Sequence, residues 1–319
     1  MDLIYTNAKK VDQGVLSAHA FDLSFGASEN DFEMTLGANE PALEFGAFVY
    51  IEGTEYGGTV DGRKITSDGE SITYMGRTWH GMLNSKVIEP DAGEDYLIVS
   101  GEANEVLASM IARLGLSGAF TAASVESGVN ISNYQFHRYC KGYDGLRDML
   151  GDNGAKLKIK WQDRSVVLYA EPIVDYTKDP ADSDMATITV EQYSRKVNHL
   201  VCLGKGDLAE REVIHLYVDQ FGRIGSTQYY TGVDEYADTY DNSSTENLES
   251  DGIKKLKELL STDKAEIDVA ETDSPMYDIG DIVGATELKT GVKVSETVTQ
   301  KIVKISNGAV RTEYKTGGD

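Results

Sequence analysis

The stretch Tyr277–Gly317, YDIGDIVGATELKTGVKVSETVTQKIVKISNGAVRTEYKTG, alternates apolar runs with glycine joints and contains the pair Asn307-Gly308. Asn-Gly between alternating residues is a strong hairpin signal, because both central positions of a type I′ turn need φ > 0. The stretch therefore reads as a small antiparallel β unit. Phe45–Arg77, FGAFVYIEGTEYGGTVDGRKITSDGESITYMGR, follows a similar plan. Each opens on an apolar residue and glycine, Phe45-Gly46 and Ile279-Gly280, and each carries a Thr-Val pair, Thr59-Val60 and Thr297-Val298. Each then passes a turn dipeptide and ends on a strand with tyrosine and glycine, Tyr74 with Gly76 and Tyr314 with Gly317. A duplicated β unit and convergence of two hairpin meanders both account for this pattern.

Outward from these stretches, residues 1–85 read as strands. FDLSF (Phe21–Phe25), DFEMTLG (Asp31–Gly37), AFVYIEG and SITYMGR alternate apolar and polar positions, and Asp68-Gly69 is a further hairpin dipeptide. The middle of the chain changes character. Val106, Leu107, Met110, Ile111 and Leu114 form one helical stripe over 102–114, closed by Gly115. A shorter helix fits Asp144–Leu150, and LKIKW (Leu157–Trp161) with SVVLYA (Ser165–Ala170) predicts a hairpin around the three residues Gln162-Asp163-Arg164. Asp175–Asp184 is polar and acidic and reads as a boundary loop. Strand character returns in ATITVE, VNHLVCLG and EVIHLYVD. Ser226–Ser250 then carries six acids, among them Asp234, Glu235, Asp238 and Asp241, and no Lys, Arg or His. A helix follows on Leu248, Ile253, Leu256, Leu259 and Leu260, with Ser243 and Glu246 as its capping box.

Composition narrows the function. The chain has 319 residues, 40% of them hydrophobic, enough for more than one packed domain. Fifty-three acids against 30 bases give a net charge of -23. That balance opposes a grip on nucleic acid, which needs Lys and Arg to displace counterions, and it opposes an anionic membrane surface. MDLIYTNAKKVDQ has no apolar core of a signal peptide, and no segment approaches the roughly 20 apolar residues of a membrane span. The two cysteines, Cys140 and Cys202, form no C-x-x-C pair, which points to free buried thiols in a reducing compartment.

Catalytic and cofactor signatures are missing or misleading. Gly204-x-Gly206-x-x-Ala209 follows a strand, as a dinucleotide fingerprint does, but Glu212–Asp219 alternates like another strand where a Rossmann unit needs a helix. A glycine hairpin is the better reading. His19, His80, His137, His199 and His215 are dispersed, with no pair at helical spacing, and so predict neither a metal nor another cofactor. Trp79 and Trp161 read as packing residues, and the acidic run as a solvated face.

Val197–Gly225, VNHLVCLGKGDLAEREVIHLYVDQFGRIG, followed by the acidic tyrosine-rich loop, the helix, YDIGDIVGATE and the closing Tyr-Lys-x-Gly, resembles the tail hub proteins of long-tailed bacteriophages and prophages. The resemblance extends back through FHRYCKGYDGLRDML and the Leu157–Ala170 hairpin. Gly204, Gly206 and Arg211 match the family's G-x-G-x-x-x-x-R stretch, and Gly280 and Asp281 its Gly-Asp-x-Val strand start. The resemblance implies a β-rich α+β fold with two similar small antiparallel barrels around an α+β segment. The divisions expected are 1–90 for the first barrel, completed by 186–235; 91–180 for the α+β segment; and 236–319 for a helix with the second barrel. It implies a structural virion protein and no enzyme, a homotrimer joining the six-fold tail tube or a distal tail protein to a three-fold tip or spike. DNA would pass its acidic lumen unbound. Two other readings stand beside it: a carbohydrate-binding tail-tip module using aromatics such as Tyr229-Tyr230, and a carboxylate-dependent cell-wall hydrolase.

Overall fold

A computed structural model describes residues 2–65, 70–178, 186–191, 196–245, 247–260, 264–269, 277–286, 293–306 and 308–317. The chain begins with strands β1 (Leu3–Thr6), β2 (Asp12–Leu16), β3 (Ala18–Gly26), β4 (Asp31–Gly37), β5 (Phe48–Ile51), β6 (Gly57–Ile65) and β7 (Ser71–Thr78), then helix α1 (Trp79–Asn84). Period-two patterning sets the faces: in β4, Phe32, Met34 and Leu36 are buried while Asp31 and Glu33 are exposed. β5 departs from the expected alternation. All four residues of FVYI are buried, because Val49 and Ile51 face one core and Phe48 and Tyr50 another. Asp68-Gly69 lies outside the described residues.

The α+β segment follows as β8 (Val87–Ile88), β9 (Ile98–Glu102), α2 (Ala103–Arg113), β10 (Phe120–Ala122), β11 (Asn130–Gln135), β12 (Cys140–Lys141), α3 (Gly142–Gly151), β13 (Ala155–Gln162) and β14 (Ser165–Pro172). The Glu102 carboxylate caps α2 by accepting from the N–H groups of Asn104 and Glu105. Gln162 pairs with Ser165, so the β13–β14 loop has two residues where three were expected. Asp163 (φ 52°) and Arg164 (φ 65°) both take the left-handed conformation of a type I′ turn without glycine. Trp79 and Trp161 stack at 5.3 Å, with Phe48 edge-on to Trp79 at 5.1 Å, in the core that α2 and α3 complete.

The remaining elements are β15 (Ala186–Glu191), β16 (His199–Leu203), β17 (Val213–Val218), β18 (Ile224–Gly225), β19 (Ala237–Asp241), α4 (Leu248–Leu260), β20 (Lys264–Val269), β21 (Ile282–Thr286), β22 (Lys293–Ser306) and β23 (Ala309–Thr316). Ser306 pairs with Ala309, and Gly308 has φ +79°, as the turn at Asn307-Gly308 requires; Asn307 itself lies outside the described residues. The chain forms two compact units, Met1–Ile188 with Ile267–Asp319, and Thr189–Glu266.

This division differs from the expected one. The ten-stranded sheet of the first unit runs β2-β1-β5-β6-β7-β4-β3-β22-β21, with β23 also on β22. The strands that extend the N-terminal sheet are therefore C-terminal ones, and 196–241 belongs to a separate unit. The two stretches of similar plan, containing β6–β7 and β22–β23, lie in one sheet. The reason is strand pairing: β22 occupies the free edge of β3, from Phe21 opposite Ile305 to Gly26 opposite Gln300. Gly26 permits the approach, since at φ +140° a Cβ there would lie 2.2 Å from the Thr299 carbonyl oxygen. β22 serves two cores. Val303 packs with Phe21, Phe25, Met34 and Tyr74, while Val298, past a register shift, packs with Tyr277, Val283 and Tyr314.

In the second unit, β18-β17-β16-β19 form a four-stranded sheet in which β16 and β19 are parallel. The apolar stripe of α4 covers one face, burying Leu200, Cys202, Leu216, Val218, Leu248 and Leu256. The helix is capped by Asn247, whose side chain accepts from the Ser250 N–H at 3.1 Å, and not by Ser243 as predicted. Glu246, the other half of the predicted box, lies outside the described residues.

Candidate functional site

Gly280 and Asp281 sit where the chain turns into β21. Gly280 has φ +99°, and a Cβ there would lie 3.1 Å from the Lys156 Cβ, so the turn favours glycine. Asp281 is completely buried. Its Oδ1 accepts from Lys156 Nζ at 2.7 Å and from the Val174 N–H at 2.9 Å; its Oδ2 accepts from Lys156 Nζ and the Asp278 N–H, both at 2.9 Å. Asp278 adds contacts to Lys156 (3.1 Å), Lys158 (2.6 Å) and Lys301 (3.3 Å), and Lys301, itself buried, reaches Glu55 at 2.6 Å. Three lysines and three carboxylates thus tie together β13, the approach to β21, β22 and the β5–β6 loop. The charges balance, and every carboxylate has an ionic partner, the condition under which buried charge is tolerated.

The electrostatics follow from that balance. Burial alone would raise the Asp278 carboxyl, but Lys301, Lys158 and Lys156 hold it far below the usual carboxylate range. Burial alone would lower Lys156 and Lys301; Asp281 and Asp278 hold the first above its ordinary value, and Glu55 and Asp278 hold the second well above. His80 lies at the edge of the cluster, fully buried, its ring stacked on Phe25 at 4.7 Å and its Nε2 3.9 Å from Glu55. Burial lowers it to about 4, more than Glu55 can offset, so it is neutral at pH 7.

The second unit gathers the other predicted motif. Gly204 directly follows β16 and Gly206 (φ +95°) lies in the turn, followed by a 3₁₀ turn at Leu208–Glu210 and then strand β17, not a helix. Arg211 closes this turn: its Nε donates to the Gly204 carbonyl at 3.1 Å, and its guanidinium pairs with Asp241. The glycines are thus a hairpin joint and not a phosphate cradle. Of the predicted acidic loop, Asp234, Asp238 and Asp241 are exposed, whereas Glu235 is drawn in by His199. Tyr229 and Tyr230 meet edge to face at 4.9 Å, and the Tyr229 hydroxyl donates to Gln220.

Lys156, Lys158, Lys301, Asp278 and Glu55 escaped the sequence reading, as did the meeting of His199 with His215. The latter had a signal: in an antiparallel hairpin that sets Val201 opposite His215, His199 is the diagonal neighbour. Among the described residues no three His, Cys, Asp or Glu side chains converge on a metal position, and no helix is long and apolar enough to cross a membrane.

No protein-family model matches the chain, and no curated protein matches it in sequence. Its fold, however, is similar to that of a solved phage tail protein. The prophage tail protein gp18 from Listeria monocytogenes superimposes with a TM-score of 0.50 at 13% identity, covering 100% of this chain and 95% of that one. A tail protein from Neisseria meningitidis gives 0.46 at 15% identity, covering 100% and 96%. A chain of the phage P2 baseplate in its activated conformation gives 0.49 at 12% identity, covering 100% and 99%.

Proposed function

We propose that this chain is a structural protein of a phage or prophage tail, a hub that as a homotrimer joins the six-fold tail tube to a three-fold tip or spike. The observation that carries this reading is the end-to-end match of its fold to the Listeria prophage tail protein, which spans both compact units. The buried ion network supports it chemically, because its carboxylates and ammoniums are spent on one another and leave none poised to react. Lys156 and Lys301 are anchors of a rigid joint, and the same joint fixes β22 across its two cores. The surplus of acids suits a channel wall that must let a duplex slide, since acidic side chains repel phosphates where basic ones would hold them. Asp234, Asp238 and Asp241 are the acids proposed to face it. Molar mass measured with and without the tube protein of the same tail tests the assembly. A three-fold ring is expected, in isolation or on the tube end; a monomer that fails to bind the tube protein overturns the hub. A three-fold ring whose lumen is neutral or basic overturns only the channel.

A further inference from the structure

In the first unit, β3, β4 and β7 bury one face on Phe21, Phe32, Met34 and Tyr74. The other face is an open groove of about 560 Å³ that runs across β22, β3, β4, β7 and β6. Met75 and Ile302 make its floor apolar, and Asp22, Glu29, Asp31 and Glu33, all exposed, stand around it. Asp22 lies directly opposite Glu33 across β3 and β4, an arrangement of like charges that destabilises a sheet. Burial pushes the Asp22 and Asp31 carboxyls up; Lys304 opposes this at Asp22, while Glu33 adds to the first and Glu29 to the second. The cations opposite them, Lys304 for Asp22 and Arg77 for Asp31, pair instead with Glu313 at 3.4 Å and Asp61 at 2.7 Å. Among the described residues the four groove carboxylates form no ion pair.

The same unit carries a feature of opposite charge. Residues 127–143 contain no Asp or Glu in a chain with 53 of them. Within that span the Cys140 N–H donates to the His137 carbonyl at 3.3 Å, closing a turn with Arg138 and Tyr139 at its tip. Tyr139 has φ 56°, the left-handed conformation that its place in the turn favours for glycine or asparagine, and its side chain is 57% exposed. Its ring lies 5.4 Å from the Arg138 guanidinium. Burial in its own core does not explain a bulky residue held there, and strain of this kind collects at binding surfaces. Arg138 and Lys141 are exposed and, among the described residues, form no ion pair; Val87, opposite Lys141 on β8, is exposed as well.

We propose that the Arg138–Tyr139 turn of one copy docks in the acidic groove of a second copy of this chain. Tyr139 covers Met75 and Ile302, and Arg138 and Lys141 neutralise Asp31 and the Asp22–Glu33 pair. Tyrosine and arginine are residue types that anchor interfaces, and a guanidinium can take two carboxylate oxygens at once. Turn and groove are different surfaces of the first unit, so repeating the contact closes a ring, or a reciprocal pair when two copies suffice. This deepens the ring proposed above and rests on that reading for the number of copies alone.

Sedimentation velocity of the full chain over a concentration series tests it, with denaturant stability measured beside it. The wild type should self-associate, and less strongly as salt is raised. Tyr139→Gly suits the backbone at φ 56° and removes the ring. It should keep or raise the unfolding midpoint yet weaken association about tenfold or more. Arg138→Glu and Glu33→Arg should each weaken association, and the two combined in one chain should associate more tightly than either alone. A wild type that stays monomeric at every concentration overturns the contact and leaves the hub to its test with the tube protein. Association that the variants leave unchanged, a combined variant no tighter than the singles, or a loss in Tyr139→Gly that tracks lost stability would each overturn it too. A dimer in which the combined variant recovers keeps the contact and overturns the three-fold ring; a three-fold ring indifferent to the variants does the reverse.

Discussion

At the scale of single residues, the Lys156–Asp281 pair poses a quantitative question, because a buried ion pair is weak support on average and costly to break from one side. Asp281 accepts four hydrogen bonds in complete burial, two of them from backbone N–H groups. Asp281→Ala should therefore destabilise the first unit by about 3–5 kcal/mol in chemical denaturation. Lys158→Ala, which removes a half-buried ammonium from Asp278 while Lys156 and Lys301 remain, should cost ~1 kcal/mol or less. Combining Asp281→Ala with Lys156→Met should cost less than the sum, because the second change removes the stranded charge. The network also sets pH dependence. Asp278 is depressed in the fold, so its contribution is full above about pH 4, where the unfolded carboxylate ionises, and is lost as pH falls from there. His80 acts at higher pH. The unfolded histidine takes its proton near 6.5 while the folded one waits until about 4, so stability drops as pH falls between those values. That interval is worth roughly 3 kcal/mol, and His80→Phe should flatten this part of the stability–pH curve.

At the scale of elements, the seam between β3 and β22 carries the architecture, and Gly26 is its narrowest point. Any Cβ there strikes the Thr299 backbone, which no side-chain rotation relieves, so Gly26→Ala should cost more than the ~1 kcal/mol of an ordinary glycine substitution. The measurement is denaturant stability together with exchange of the Gln300–Ile305 amides, which should lose protection first. Gly62→Ala, with only the flexible Met75 side chain at 3.7 Å, is the matched control and should be near neutral. The seam also shows what the sequence made legible. Alternation exposed β3 and β4, and the 3.6-residue stripe exposed α2 and α3, because those patterns are local. The partner of β3 was hidden, since an open strand edge accepts any extended segment with compatible register. β19 was hidden for another reason: Ala-Asp-Thr-Tyr-Asp has no apolar alternation and is a strand only through its parallel pairing with β16. The site divided in the same way. The Gly280-Asp281 joint was visible as a local motif, while Lys156, Lys301 and Glu55 converge on it from three distant elements whose registers no local pattern encodes.

At the scale of the molecule, the two units differ in what they have to hold them together. The first buries a tryptophan stack and an extensive aromatic and aliphatic core; the second, among the described residues, rests on a hydrophobic core of seven, Val197, Leu200, Cys202, Leu216, Val218, Leu248 and Leu256, beneath a single helix. A small unit buries a smaller fraction of its surface and is correspondingly marginal. Its unfolding should therefore precede that of the first unit, and the chain supplies a separate probe for each. Trp79 and Trp161, the only two tryptophans, lie in the first unit, so indole fluorescence reports its unfolding alone. Cys202 lies fully buried in the second, and burial holds its thiol above its ordinary value and away from reagents. In a Cys140→Ser background, alkylation of Cys202 across a urea series should reach its midpoint at lower urea than the fluorescence change. It should also do so with the smaller slope that a smaller exposed surface gives. Coincident midpoints and slopes would instead mean that the 319 residues unfold as one cooperative block, and the second unit would then draw its stability from outside its own core.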